Sequence, residues 1–299
     1  MNLHDRAKGA LLGLACGDAV GTTLEFKLRG TFSPLEDMVG GGPFRLEVGQ
    51  WTDDTSMALC LADSLLGCEG FDARDQMDRY VRWFRTGYRS STGRAFDVGN
   101  TVLEALLRFE ETGEPFSGST LPDRAGNGSI MRLAPVALYF HPDAEAVDHN
   151  SAESSRTTHG AAEAVAASRI LGGILNGALS GLAKADLPLA VPAADWMSPR
   201  LKEIAEGGYR GKGASDIRGT GYAVDSLEAA LWSFWSTETF EEAVLKAANL
   251  GDDADTTAAV CGQVAGAHHG AAGIPGGWLE KLWERDAISD LAVRLISRG

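Results

Sequence analysis

Two short acidic motifs carry the chemistry most readily read from this sequence. Thr52-Asp53-Asp54-Thr55 and Asp252-Asp253-Ala254-Asp255-Thr256-Thr257 share an aspartate and threonine composition, stand about 200 residues apart, and each precedes an Ala-rich stretch. One such cluster has an ordinary explanation, because Asp and Thr before a helix satisfy its exposed N–H groups and face the positive end of its dipole. A cap needs a single acceptor, and each motif supplies several. Carboxylates and threonine hydroxyls are hard oxygen ligands suited to Mg²⁺, Mn²⁺ or Ca²⁺. If the motifs converge, their carboxylates repel unless cations lie between them, and two metals meet that need. The residues alone leave capping and metal binding both open.

Other candidates are weaker singly. Asp97-Val98-Gly99-Asn100-Thr101 and Gly126-Asn127-Gly128-Ser129-Ile130-Met131-Arg132 both lead into apolar stretches. Glycine admits a ligand close to the backbone, and free N–H groups at a helix start suit phosphate oxygens. Arg132 adds a cation, although an ordinary Asn/Gly turn explains either motif as well. No GK[ST] follows, so neither is a P-loop, and Gly211-Lys212-Gly213 has no strand before it. Glu25 stands in a loop, where a solvated carboxylate is the usual outcome. His159 suits donation to a phosphate or ribose, or a place in the core. Tyr222 closes a glycine-rich loop and is equally suited to stacking on a flat ring or to packing. His268-His269 lacks nearby acids at metal spacing and reads as structural.

Helices must position these groups. Apolar residues recur at three- and four-residue steps over 5–19, 55–66, 73–84, 98–109, 130–139, 160–182, 223–235, 240–248, 256–267 and 287–296. No segment alternates strictly enough to predict a sheet. Gly, Pro, Ser and Asp clusters mark long loops over 29–50, 90–96, 112–128, 184–199 and 207–221, and long ordered loops often carry function. The 299 residues suffice for one large domain or two ordinary ones. With 27 Lys and Arg against 41 Asp and Glu, the net charge is −14, which gives no nonspecific attraction to nucleic acid or anionic membranes. The longest uncharged stretch, 256–279, is rich in small residues and predicts a buried segment rather than a bilayer span. No signal peptide is apparent and the four cysteines form no CxxC pair, so reduced thiols in a cytoplasmic protein are expected.

Taken in order, the motifs resemble the ADP-ribosylglycohydrolase family, which includes the dinitrogenase-reductase-activating glycohydrolases. The resemblance runs from Gly9–Ala19 and Glu25-Phe26, through Gly49–Thr55, 97–101 and 126–132, to 251–257 and Ile274–Trp278. It implies a single domain over 1–299, an all-α orthogonal multi-helix bundle, and a centre of two divalent ions, Mg²⁺ or Mn²⁺. Thr52, Asp53 and Asp54 are implied ligands from one side, and Asp253, Asp255 and Thr256 from the other. Asp252 stands where some relatives have glycine and is left out. The turn Gly126, Asn127, Gly128, Ser129, Met131 and Arg132, with Asn100, is implied to bind substrate and hold its diphosphate. His159 is implied to lie beside the substrate and Tyr222 on its adenine side. The implied activity is hydrolysis of the glycosidic bond between ADP-ribose and a modified acceptor, through an oxocarbenium-like transition state. ADP-ribosyl-arginine is weakly favoured, since Asp97 suits a leaving guanidinium. Glu25, Asp97, Asp54 and Asp253 are the candidate catalytic carboxylates, and Glu25 and Asp97 compete for the proton-transfer role. The substrate is then an ADP-ribosylated protein or small ADP-ribosyl compound, with a nucleic-acid target still open, and the product is ADP-ribose. A two-metal nucleotide phosphohydrolase and a non-catalytic ADP-ribose-binding relative are the competing readings.

Overall fold

Glycine recurs at every fourth position along the first helix, at Gly9, Gly13, Gly17 and Gly21. In the computed structural model, which describes residues 1–191 and 194–298, this row faces Gly266, Gly262, Ala258 and Ala254 of a helix near the C-terminus. A Cβ at any of the four glycines would collide with the opposing carbonyl oxygen, so the two backbones touch along their whole crossing. Glycine lowers helix propensity by about 1 kcal/mol per residue relative to alanine. Close backbone approach is what offsets that cost here.

These two helices form the centre of an all-α structure. The α-helices are α1 (Leu3–Gly21), α2 (Asp53–Gly67), α3 (Ala73–Thr86), α4 (Asn100–Thr112), α5 (Ala134–Phe140), α6 (Ala144–Arg156) and α7 (Ala162–Leu179). They continue as α8 (Pro199–Ala205), α9 (Ala223–Trp235), α10 (Phe240–Ala248), α11 (Ala254–His269), α12 (Gly276–Lys281) and α13 (Arg285–Ile296). Only isolated bridges such as Gly41 with Leu46 and Gly126 with Tyr222 represent β pairing among the described residues. Every residue of α1 from Gly9 onward is buried, as is α11 from Ala254 to Ala267. Both are therefore buried on every side, as expected of helices enclosed by other helices. Helices α2, α5, α7, α9, α10 and α13 pack around the pair, and one hydrophobic cluster runs from Ala7 to Ile296.

The all-α expectation holds, with differences in detail. The helix predicted over 130–139 begins only at Ala134, because Ile130 and Met131 donate their N–H groups back to Asn127 O in a tight turn. Helix α6 was not expected. Its buried face is Val147, Ser151, Ser154 and Ser155, a helical period written in serine rather than in aliphatic residues. Short helices α8 and α12 were also not expected. The predicted loop 184–199 contains a 3₁₀ segment over Lys184–Ala190, while its residues 192 and 193 lie outside the described residues, as does 299. No helix of the described residues is long and apolar enough to cross a membrane.

Candidate active site

The sites of both acidic motifs follow from the α1–α11 crossing. Gly21 lies against Ala254 and the Cα of Asp255, so the end of α1 delivers the following residues to the start of α11. There Glu25 Oε2 accepts hydrogen bonds from the N–H groups of Ala254 at 2.8 Å and Asp255 at 3.4 Å. The same arrangement recurs at α2. Asp18, on α1, accepts from Thr52 N and Oγ1, both at 2.9 Å, and from Thr55 N at 3.0 Å and Oγ1 at 2.6 Å. Thr52 and Asp253 occupy the two N-cap positions, yet neither side chain caps its helix. Carboxylates from elsewhere in the chain do that work, which leaves the oxygens of the motifs for another purpose. Asp18 is a residue that the sequence reading passed over within the Gly9–Ala19 match. A lone carboxylate near the C-terminal end of an otherwise apolar helical stretch was the signal.

The two motifs meet. Thr256 Oγ1 lies 3.3 Å from Asp54 Oδ2, across 202 positions of sequence. Glu25, Asp253 and Asp255 each offer a carboxylate oxygen, and these lie within 4.8 Å of one another. Asp53, Asp54, Asp255 and Thr256 are all buried. Two unit charges at 4 Å cost roughly 4 kcal/mol at the effective dielectric of a protein site, so the assembly needs protons or cations. Burial and mutual repulsion push Asp53, Asp54 and Asp255 well above the usual carboxylate range. Burial first, then repulsion from Asp253, raises Glu25 to about 8, and burial raises Asp97 to about 7. Asp54 Oδ1 and Asp255 Oδ2 are buried without a hydrogen-bond partner. Orphaned anionic oxygens beside hard hydroxyl donors suit a hard divalent cation.

A cavity of about 520 Å³ opens over this cluster. Glu25, Asp53, Asp97, Asp253, Asp255 and Thr256 line it, together with Asn100, Gly126, Asn127, Gly128, Met131 and His159. Asn127 Nδ2 donates to Asp253 Oδ2 at 2.8 Å, so its amide steadies a carboxylate rather than lying free. A Cβ on Gly128 would sit 2.7 Å from His159 Cε1, which explains glycine at that position. Thr158 Oγ1 accepts from Arg132 Nη2 at 2.6 Å and so has its own proton for His159 Nδ1, 2.8 Å away. His159 Nε2 then carries a hydrogen toward the glycine turn. Burial and the Arg132 charge drop the His159 pKa to about 3, keeping the ring neutral.

Several predicted site residues lie elsewhere. Arg132 was expected to offer its charge to the diphosphate. Instead it is fully buried, its guanidinium 4.6 Å from the Tyr80 ring and bonded to Thr158, and it does not line the cavity. The turn at Asn127 reverses the chain before residue 132, which directs this side chain inward between α2, α3 and α6. Ser129 also points away, accepting from Ser168 Oγ of α7 at 3.0 Å. Tyr222 lines a neighbouring cleft with Thr101, Asp123, Gly126 and Gly221 rather than the cavity over the acids, and its hydroxyl donates to Glu163. Thr52 and Asp54 sit behind Asp53, in contact with Asp18 and Thr256. Asp252, set aside on the sequence, has a left-handed backbone with φ of 56°. Glycine adopts that conformation freely, and the Asp252 side chain is absent from the cavity lining.

The ADP-ribosylglycohydrolase family model matches residues 1–299. The chain is 46% identical to an ADP-ribosylarginine hydrolase, Tri1, of Serratia proteamaculans, over 97% of this chain and 79% of that protein. It is 33% identical to the ADP-ribosyl-[dinitrogen reductase] glycohydrolase of Rhodospirillum rubrum, over 94% and 91% respectively. A solved structure described as an ADP-ribosylglycohydrolase-related protein complex superposes with a TM-score of 0.88 at 44% identity, covering 99% of both chains. This protein belongs to the ADP-ribosylglycohydrolase family. It is a hydrolase of ADP-ribosyl glycosidic bonds.

Proposed function

We propose that the protein is an ADP-ribosylarginine hydrolase with a dinuclear Mg²⁺ or Mn²⁺ centre, acting as a single domain in the cytoplasm. The convergence of Asp54 with Thr256, and of Glu25 with Asp253 and Asp255, is the observation that carries this reading. Thr52, Asp53 and Asp54 would hold metal from the α2 side, and Asp253, Asp255 and Thr256 from the α11 side. Bound there, the ions supply electrostatic stabilisation to the ribose hydroxyls and a water of lowered pKa. The chain's own residues supply the rest. His159 Nε2 donates a hydrogen bond to the bound nucleotide, and the Gly126–Gly128 turn lets the diphosphate approach the backbone. Asn127 fixes the Asp253 carboxylate. Glu25, tied down through Oε2, exchanges the proton with the leaving nitrogen. Asp97, on the cavity wall, orients the departing guanidinium. Relatives named as ADP-ribosylarginine hydrolases support the arginine acceptor, and the free thiols of Cys16, Cys60 and Cys261 suit a reducing compartment.

The test is incubation of metal-loaded protein with peptides ADP-ribosylated on arginine or serine, with products separated by chromatography. Free ADP-ribose from the arginine peptide, abolished by chelator and restored by Mg²⁺ or Mn²⁺, is the expected result. Release of AMP or phosphate would instead identify a phosphohydrolase. Full activity in excess chelator would refute the metal centre.

A further inference from the structure

Phe26 is 67% exposed, yet it lines the acidic cavity. Its backbone is left-handed, with φ of 62°, a conformation that a non-glycine residue keeps only where its surroundings impose it. Two hydrogen bonds impose it. Phe26 N donates to Asp252 O, and Asp252 N donates to Lys27 O, each at 2.8 Å. The ring is backed edge-on by Phe44 at 6.2 Å, and Phe44 by Phe96 at 5.2 Å. Phe96 immediately precedes Asp97. Three aromatic residues from separate chain segments thus build a wall on which the outermost face stays bare. On the cavity side the wall adjoins Glu25 and Asp97.

An aromatic face beside two carboxylates complements one kind of group: an apolar stem that ends in a delocalised cation. Guanidinium lies flat on such rings and pairs with carboxylates at its edge. An adenine ring would also stack on Phe26, but it carries no positive charge to answer the acids. The glycine turn at Gly126 and Gly128, packed beside His159, suits the nucleotide better.

We propose that Phe26, supported by Phe44 and Phe96, is the platform for the acceptor residue, with an arginine stem crossing the ring and the guanidinium turned toward Asp97. This rests on the arginine-hydrolase reading and adds to it a specificity-determining residue. It makes Phe26 matter for the acceptor and not for ADP-ribose.

The experiment compares full-length, Mn²⁺-loaded wild type with Phe26→Ala, Phe26→Leu and Phe26→Tyr, each first checked for unchanged thermal unfolding. It measures kcat/KM on an ADP-ribosyl-arginine peptide, Kd for ADP-ribose, and Kd for arginine amide in the presence of ADP-ribose. Phe26→Ala is expected to lower kcat/KM and arginine amide affinity about tenfold, within the range of an aromatic-cation contact. ADP-ribose affinity should stay within about twofold, and Phe26→Tyr should restore activity. Phe26→Leu should recover only part, because it replaces the apolar cover without the ring. Unchanged turnover and arginine amide binding in Phe26→Ala would overturn the platform while leaving the hydrolase reading intact. An equal loss of ADP-ribose affinity would overturn it by moving the ring to the nucleotide side. A wild type that binds arginine amide through Phe26 but releases no ADP-ribose would sink the hydrolase reading and keep the platform.

Discussion

A methyl group at Gly21 should do more harm to activity than one at Gly9, although both strike the same partner helix. At Gly9 the added Cβ meets the Gly266 carbonyl, at the end of the crossing away from the acids. At Gly21 it meets Ala254 O and lies 2.5 Å from the Cα of Asp255. Ordinary contact begins near 3.4 Å, so either variant must part the backbones locally by roughly 1 Å in an interior packed too tightly to absorb it. Overpacking of this kind costs about 1–3 kcal/mol, and the better helix propensity of alanine returns about 1 kcal/mol of it. The collision is with backbone, which cannot swing aside, so each variant should lose at least a few degrees in Tm, at about 2–4 °C per kcal/mol. Activity should separate them. Gly21→Ala moves Asp255 against Asp54 and Glu25, and an error of about 1 Å in a reacting constellation costs on the order of 10²-fold. Gly9→Ala leaves the acids in place and should keep kcat within about threefold. Thermal unfolding with saturating Mn²⁺, paired with ADP-ribose release, reads both quantities. Equal activities in the two variants would show that the crossing does not set the site.

Three further outcomes follow from the site. Asp54→Asn should abolish turnover yet raise Tm in chelator at alkaline pH, where the buried carboxylate is driven to ionise among its neighbours; a lower Tm there would contradict the repulsion. The metal-induced rise in Tm should grow between about pH 5.5 and pH 8.5. Glu25 and Asp97 have folded pKa values raised to about 8 and about 7, so their contribution is complete below their unfolded values and is lost as pH climbs through that window without metal; a pH-independent metal effect would count against this. Thr158→Val should cost about 2–4 kcal/mol by stranding an Arg132 N–H and His159 Nδ1, and should shift the imidazole ¹⁵N signals, whereas Thr158→Ser should restore them.

Much of this was legible in the residues, for reasons that differ by element. Helices α9 and α10 were read at their observed bounds, since each has a strong apolar face. Helix α6 escaped because serine and asparagine fill its buried positions, and polar residues hide a helical period. The acidic motifs were visible as composition, but their meeting depends on a glycine row whose spacing was present and unread as a packing face. Arg132 illustrates the limit. Its type and neighbours suggested an anion contact, and only the reversal of the chain at Asn127 turns it toward Tyr80 and Thr158. Asp18 and Glu25 were similarly unreadable as caps, because each serves a helix that is remote in sequence.

Asp18 has one more effect. By clasping Thr52 and Thr55 it pins the start of α2 to α1, so the excursion between residues 25 and 52 is closed at its root. That excursion bears Phe26 and Phe44 at its two ends of use. Of the rest, Met38, Leu46 and Trp51 are buried and Asp37 bonds Trp278 and Lys281, so change that spares the acids is confined to exposed positions such as Leu28 and Val39. Recognition of new acceptors can therefore change at those exposed positions while hydrolysis stays as it was.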